Sequence, residues 1–189
     1  MAAAGIQLRR GSIVDSATDA LVNAANSRLI RGGGVDGAIH RAAGPELQQA
    51  LRRLHPQGCP TGRAVATPGF RIPVRFLIHA VGPVWHGGRE QEEELLGSAY
   101  RCAFQLAAEL GCRSVAAPAI STGIYGFPLP LAAPIAVAEA RRALAAATPL
   151  EVVEFVLFDE RAEGCFVEAL GEGDGRRRDR KIRDPVTRG

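Results

Sequence analysis

From residue 90 onward the chain alternates long amphipathic stretches with short apolar ones. "EQEEELLGSAYRCAFQLAAELG" (90–111) carries its acids in the first turns, where they suit a helix dipole, and stops at Gly111. "SVAAPAI" (114–120) is short and apolar, "PLAAPIAVAEARRALAAA" (130–147) is an alanine-rich helix, "EVVEFVLFD" (151–159) is a strand and "RAEGCFVEAL" (161–170) a last helix. Strands separated by helices pair in parallel, and strands without strict polar alternation need cover on both faces. The pattern predicts an α/β fold. Upstream, "DALVNAA" (19–25) reads as a buried strand and "PELQQALRRLH" (45–55) as a helix with Pro45 in its first turn. "GRAVATPG" and "VRFLIHAVGP" read as two further strands, each ended by a Gly/Pro pair.

The chain has 189 residues, 47% of them apolar, which suits one globular domain and argues against a disordered chain. No run of eighteen apolar residues predicts a membrane span, and "MAAAGIQLRR" lacks the apolar core of a secretory signal, so a cytoplasmic protein without membrane contact is expected. Cys59, Cys102, Cys112 and Cys165 are scattered, with no Cys-x-x-Cys, and read as reduced core residues rather than a zinc site. Charge is uneven. Residues 1–170 hold 16 Arg and 16 acids, whereas 171–189 hold 6 Arg, 1 Lys and 4 acids, so the tail carries the whole net charge of +3. A basic tail could contact nucleic acid weakly. With almost nothing apolar to bury, 171–189 is expected to be a disordered, solvated end beyond a domain at 1–170.

In parallel sheets ligands bind where loops gather at the carboxyl ends of strands. Two glycine-rich loops fall there, "NSRLIRGGGVDGAIH" (26–40) and "STGIYGFP" (121–128), and each leads into a helix. Small residues let the backbone approach a ligand, and helix N-termini supply positive potential for phosphates. Neither loop has P-loop or G-x-G-x-x-G spacing. On spacing alone the pair is readable as a diphosphate cradle or as two ordinary tight turns.

"VNAANSRLIRGGGVDGAIHRAAG", "PAISTGIYGFP" and "CPTGRAVATPGFRIPVRFLIHAVGPVW" together closely resemble the macrodomain family, in particular its MacroD-type branch, over about residues 5–170. The resemblance implies a three-layer α/β/α domain with a mixed, mostly parallel central sheet that binds ADP-ribose in a surface cleft. It implies that Gly32, Gly33, Gly34, Val35, Asp36, Gly37 and Ala38 wrap the diphosphate and distal ribose from one side. From the other side come Ser121, Thr122, Gly123, Ile124, Tyr125, Gly126 and Phe127. The MacroD branch removes ADP-ribose from acidic protein side chains and deacetylates O-acetyl-ADP-ribose; both hydrolyse an ester on the distal ribose, with no metal or redox cofactor.

The resemblance also assigns roles. Asp36 is the candidate for activating water or orienting ribose hydroxyls, against its plainer role as a helix cap. Asn26 matches the amide that binds the distal ribose, against a turn asparagine. Asn23 reads as structural, tying loop backbone, and His40 as an orienting residue on a helix. His55, His79 and His86 have no evident partner. Phe158 matches a ring that stacks on adenine. Where the family usually reads "GDI", with an Asp accepting from the adenine amino group, this chain reads "GSI", which puts Ser12 and Ile13 at the adenine end. Two functions stay open, a hydrolase of ADP-ribosyl esters and a non-catalytic ADP-ribose reader. The partners expected are ADP-ribose, ADP-ribosylated proteins or O-acetyl-ADP-ribose, bound by a monomer.

Overall fold

The computed structural model describes residues 4–179. Its strands are β1 (Gly5–Arg10), β2 (Ala20–Ala25), β3 (Ala64–Pro68), β4 (Phe76–Val81), β5 (Ser114–Ala117) and β6 (Val152–Leu157). Its helices are α1 (Gly34–Ala43), α2 (Pro45–Leu54), α3 (Glu92–Glu109), α4 (Leu129–Ala145) and α5 (Glu160–Asp179). The described strands form one sheet in the order β1-β6-β5-β2-β4-β3. Every pairing is parallel except β3 with β4.

Strand parity sorts the side chains into two cores. On one face Val22, Ile78, Val115 and Phe155 pack with Leu96, Tyr100 and Phe104 of α3, Ala136 of α4 and Phe166 of α5. On the other, Leu21, Ala25, Leu77, Val81 and Val156 pack with Ile39 and Ala43 of α1 and Leu47 and Leu51 of α2. The result is the three-layer α/β/α arrangement with a mixed, mostly parallel sheet. Central strands buried on both faces explain why β2 and β4 read as apolar runs rather than alternating ones.

Two boundaries differ from expectation. β5 ends at Ala117 rather than at 120, because Pro118 brings no N–H to continue the ladder. The buried Tyr100 hydroxyl takes over: it donates to the Pro118 carbonyl and accepts the Ile120 N–H, both at 2.8 Å. Burial pushes this phenol far up, so it keeps its proton, and the splice sets the path of the loop that follows. The last helix runs to Asp179, so 171–179, expected to be disordered, is helical. Residues 180–189 of the expected tail lie outside the described residues. None of the four cysteines is in a disulfide. No described helix is long and apolar enough to cross a membrane.

Candidate active site

The loop after β2 turns at once. The Leu29 N–H reaches the Asn26 carbonyl at 2.9 Å, and the chain then runs through Gly32 and Gly33 into α1. The first N–H groups of a helix have no partner within it, so α1 presents its N-terminal backbone at the carboxyl end of the sheet. Gly37, on the first turn, lets α1 close back on its own loop: a Cβ there would stand 2.9 Å from the Gly32 carbonyl oxygen.

Between this loop and the one after β5 lies a cleft of about 300 Å³. Asn26, Gly32, Gly33, Gly34, Val35 and Asp36 line one side, and Ser121, Gly123, Ile124 and Tyr125 the other. The loops meet across it: Cδ1 of Ile124 stands 3.0 Å from the Cβ position of Gly33. A larger groove of about 460 Å³ lies between α3 and α4. It sits away from the strand ends, and its buried Glu139 is already held by Arg101 and Arg142.

Asp36 is the buried acid of the cleft, 5% exposed. Its Oδ1 accepts from Asn23 Nδ2 at 2.6 Å and faces His40 Nε2, one turn along α1, at 3.4 Å; its Oδ2 accepts the Gly32 N–H. Burial alone would raise its pKa, but the donors from His40, Asn23 and Gly32 together hold it below the ordinary carboxylate value. Asp36 is therefore ionised at neutral pH. A carboxylate has about four lone-pair sites, so roughly one remains for a ligand hydroxyl or a water.

Ser121 lines the same cleft from the second loop. It is a non-glycine residue in the left-handed region, φ 67°, a conformation that costs energy and gathers at functional sites. Its buried Oγ has no hydrogen-bond partner among the described residues. It sits over Gly82, where a Cβ would stand 2.2 Å away. Tyr125 lies beside Ser121's loop backbone; burial first, and the Asp36 charge second, raise its phenol pKa, so it remains a neutral hydroxyl.

Not every expected residue reaches the cleft. Gly37 and Ala38 lie inside α1. Thr122 spends its hydroxyl on the Ala119 carbonyl at 2.8 Å. Gly126 is a turn residue at φ 68°. Phe127 is not among the lining residues; its ring is buried against Trp85, with centroids 4.6 Å apart. Asn26 lines the cleft, yet both ends of its amide are used on Ile30, Nδ2 to the carbonyl at 2.6 Å and Oδ1 from the N–H at 3.3 Å. Asn23 ties the Asp36 carboxylate rather than loop backbone. Ser12, Ile13 and Phe158 are not among the lining residues; they follow the neighbouring strands β1 and β6. Ile13 is buried, while Ser12 is exposed and Phe158 is 94% exposed. Ala24, Ala25, Gly82, Ala119 and Ile120 also line the cleft. Their only signal in the sequence is position, immediately at the carboxyl end of a strand. No His/Cys/Asp/Glu group among the described residues could hold a metal ion.

Known proteins place this geometry. The family model described as "Macro domain" matches residues 22–136. A macro domain-containing protein of Chlorobaculum tepidum is 51% identical over 164 residues, covering 87% of this chain and 94% of that one. A macro domain-containing protein of Ralstonia nicotianae is 52% identical over 163 residues, covering 86% and 92%. Among solved structures, the Oceanobacillus iheyensis macrodomain with ADP superposes with a TM-score of 0.84 at 40% identity, over 90% of this chain and 92% of that one. The Trypanosoma brucei macrodomain in complex with ADP-ribose gives 0.81 at 40% identity, over 88% and 69%. With the sheet order, the glycine loop and the family match in agreement, the chain belongs to the macro domain family.

Proposed function

We propose that this chain is a MacroD-type hydrolase that binds ADP-ribose in the cleft and cleaves esters on its distal ribose, freeing acidic protein side chains and deacetylating O-acetyl-ADP-ribose. The observation that carries the reading is Asp36: an ionised, buried carboxylate with an acceptor position left, and the one acid among the residues that line the cleft. The N-terminus of α1 supplies donors for phosphate oxygens. Related macrodomains have been solved with ADP and with ADP-ribose, which supports the same class of ligand here.

In the reaction a water attacks the ester carbonyl, the acyl–oxygen bond breaks, and the ribose oxygen leaves with a proton. Asp36 acts in that scheme by accepting a hydrogen bond from a ribose hydroxyl or from the water, which fixes its orientation. Its donors make it a weak base, and proton abstraction is most efficient when the base's pKa lies near the working pH. Positioning is therefore the role its environment favours. Both ends of the Asn26 amide being engaged on Ile30 is the one observation that favours the second reading, a module that binds ADP-ribose without turning it over.

The test is loss of label from a glutamate-linked, mono-ADP-ribosylated protein, with wild type beside Asp36→Ala. The hydrolase reading expects release by wild type and at least ~10²-fold slower release by the variant. Wild type that binds ADP-ribose in calorimetry but releases nothing is a reader.

A further inference from the structure

We propose that His79 is a positioning residue for Asp36, acting through Asn23, with Thr67 as the partner of its other ring nitrogen. Asn23 of β2 and His79 of β4 are directly paired across parallel strands, and both belong to the strand face that α1 covers. Asn23 Nδ2 donates one hydrogen to Asp36 Oδ1 at 2.6 Å and lies 3.1 Å from His79 Nδ1. Both hydrogens of that amide nitrogen are thus directed, provided His79 Nδ1 is an acceptor. On the far side of the ring, His79 Nε2 lies 3.0 Å from the Thr67 hydroxyl on β3. A proton on Nε2, donated to Thr67, leaves Nδ1 bare for Asn23. Turning the Asn23 amide over would set its oxygen against both the Asp36 carboxylate and the bare His79 Nδ1, so the two acceptors together hold the amide nitrogen in place.

Asn23, His79 and Thr67 are all buried. Asn23 Oδ1 has no partner among the described residues, so the orientation of the amide rests on its nitrogen alone. Burial, with His40 and His55 adding to it and Asp36 opposing, pushes His79 down to about 3, so the ring stays neutral wherever the protein would work. The titratable groups facing Asp36 are His40 on α1, His79 behind Asn23, and Tyr125 on the second loop. Nothing about the chain rests on His79 being charged; its part is to be a fixed acceptor.

The consequence for turnover rests on the hydrolase reading, but the orientation of Asp36 is a property of the free protein and is measured separately. The experiment follows the Asp36 side-chain carboxyl by ¹³C NMR titration, together with kcat and KM, in His79→Asn, His79→Gln, His79→Leu and Thr67→Val. Asparagine places its Oδ1 where histidine has Nδ1, so it can still accept from Asn23. Glutamine reaches only the Nε2 position, toward Thr67. Expected are an upward move of the Asp36 titration and about a 10-fold fall in kcat at little changed KM for Gln and Leu, with Asn restoring most of both. Thr67→Val, a near-isosteric change on another strand, leaves the buried Nε2 proton without an acceptor and moves Asp36 the same way; it decides the matter should the His79 variants fail to fold. The proposal is overturned if Asp36 titrates alike in all of them, or if Asn and Gln move it equally, as a role in packing alone would have it. Wild type that shows no turnover while the titrations move as stated sinks the hydrolase reading and leaves this one standing.

Discussion

Ser12 caps the short 3-10 turn after β1 without using its hydroxyl, which has no partner among the described residues. The backbone around it is held firmly: Arg9 Nη2 donates to the Ser12 carbonyl at 3.2 Å, and Arg9 and Ser16 are both bound to Glu154 of β6. An acid placed there would inherit a fixed backbone position. Hydrogen bonds to a charged group are worth ~1.5–3 kcal/mol against ~1 for neutral pairs. Ser12→Asp is therefore expected to tighten ADP-ribose binding about 10-fold in calorimetry and to sharpen the preference for adenine over other bases. Unchanged affinity would show that the base does not reach Ser12. At this scale the sequence was informative about residue type and poor about partners. Asp36, Asn26 and Tyr125 were legible as cleft residues because a motif carries them. Phe127 looked like its neighbours in "STGIYGFP", and only the Trp85 ring beside it shows that it faces inward.

Among the elements, α3 begins with a carboxylate that organises the loop before it. Glu92 is buried, and its oxygens accept the N–H groups of His86 at 2.9 Å, Gly88 at 3.0 Å and Glu90. Burial alone would raise its pKa, but these backbone donors outweigh it and bring it down to about 2. A lowered folded value means stability that is present above the unfolded value of 4.5 and is lost as pH falls toward 2. Glu92→Gln should accordingly be less stable than wild type at pH 7, with the gap narrowing as unfolding is measured at successively lower pH. A gap that is constant with pH would mean that the charge contributes nothing. The acidic start of this helix was legible as favourable to the dipole. That its first acid is turned back to hold the preceding loop was not, because a capping run of three consecutive glutamates looks the same whichever one is buried. α3, α4 and β6 were legible to within a few residues, since each is long enough to show its period; α5 was not, because its second half has almost nothing apolar. β5 was misjudged because its apolar run continues past Pro118, and composition does not register a missing N–H.

For the whole molecule, helix continues past the residue at which charge and composition placed the end of the domain. α5 continues to Asp179, so a deletion meant to spare the domain should begin at residue 180. Residues 180–189 hold four basic residues and one acid. Removing them should leave ester hydrolysis and ADP-ribose affinity unchanged and weaken only salt-sensitive binding to a polyanion such as single-stranded DNA. A loss of ADP-ribose affinity would place part of the tail at the cleft.

By itself the sequence determined the class of fold, the two glycine loops at strand ends, and the acid and small residues that belong to them. These follow from local periodicity, turn chemistry and motif, all of which act over a few neighbouring residues. Only the tertiary structure decided the order of the strands and who faces whom. It set Asn23 opposite His79, 56 residues away, and placed Thr67 behind that ring. It also turned Asn23, His40 and the Gly32 N–H onto the Asp36 carboxylate. Register across a sheet fixes such pairs, and register is settled by the packing of both faces at once, which no local stretch of the chain contains.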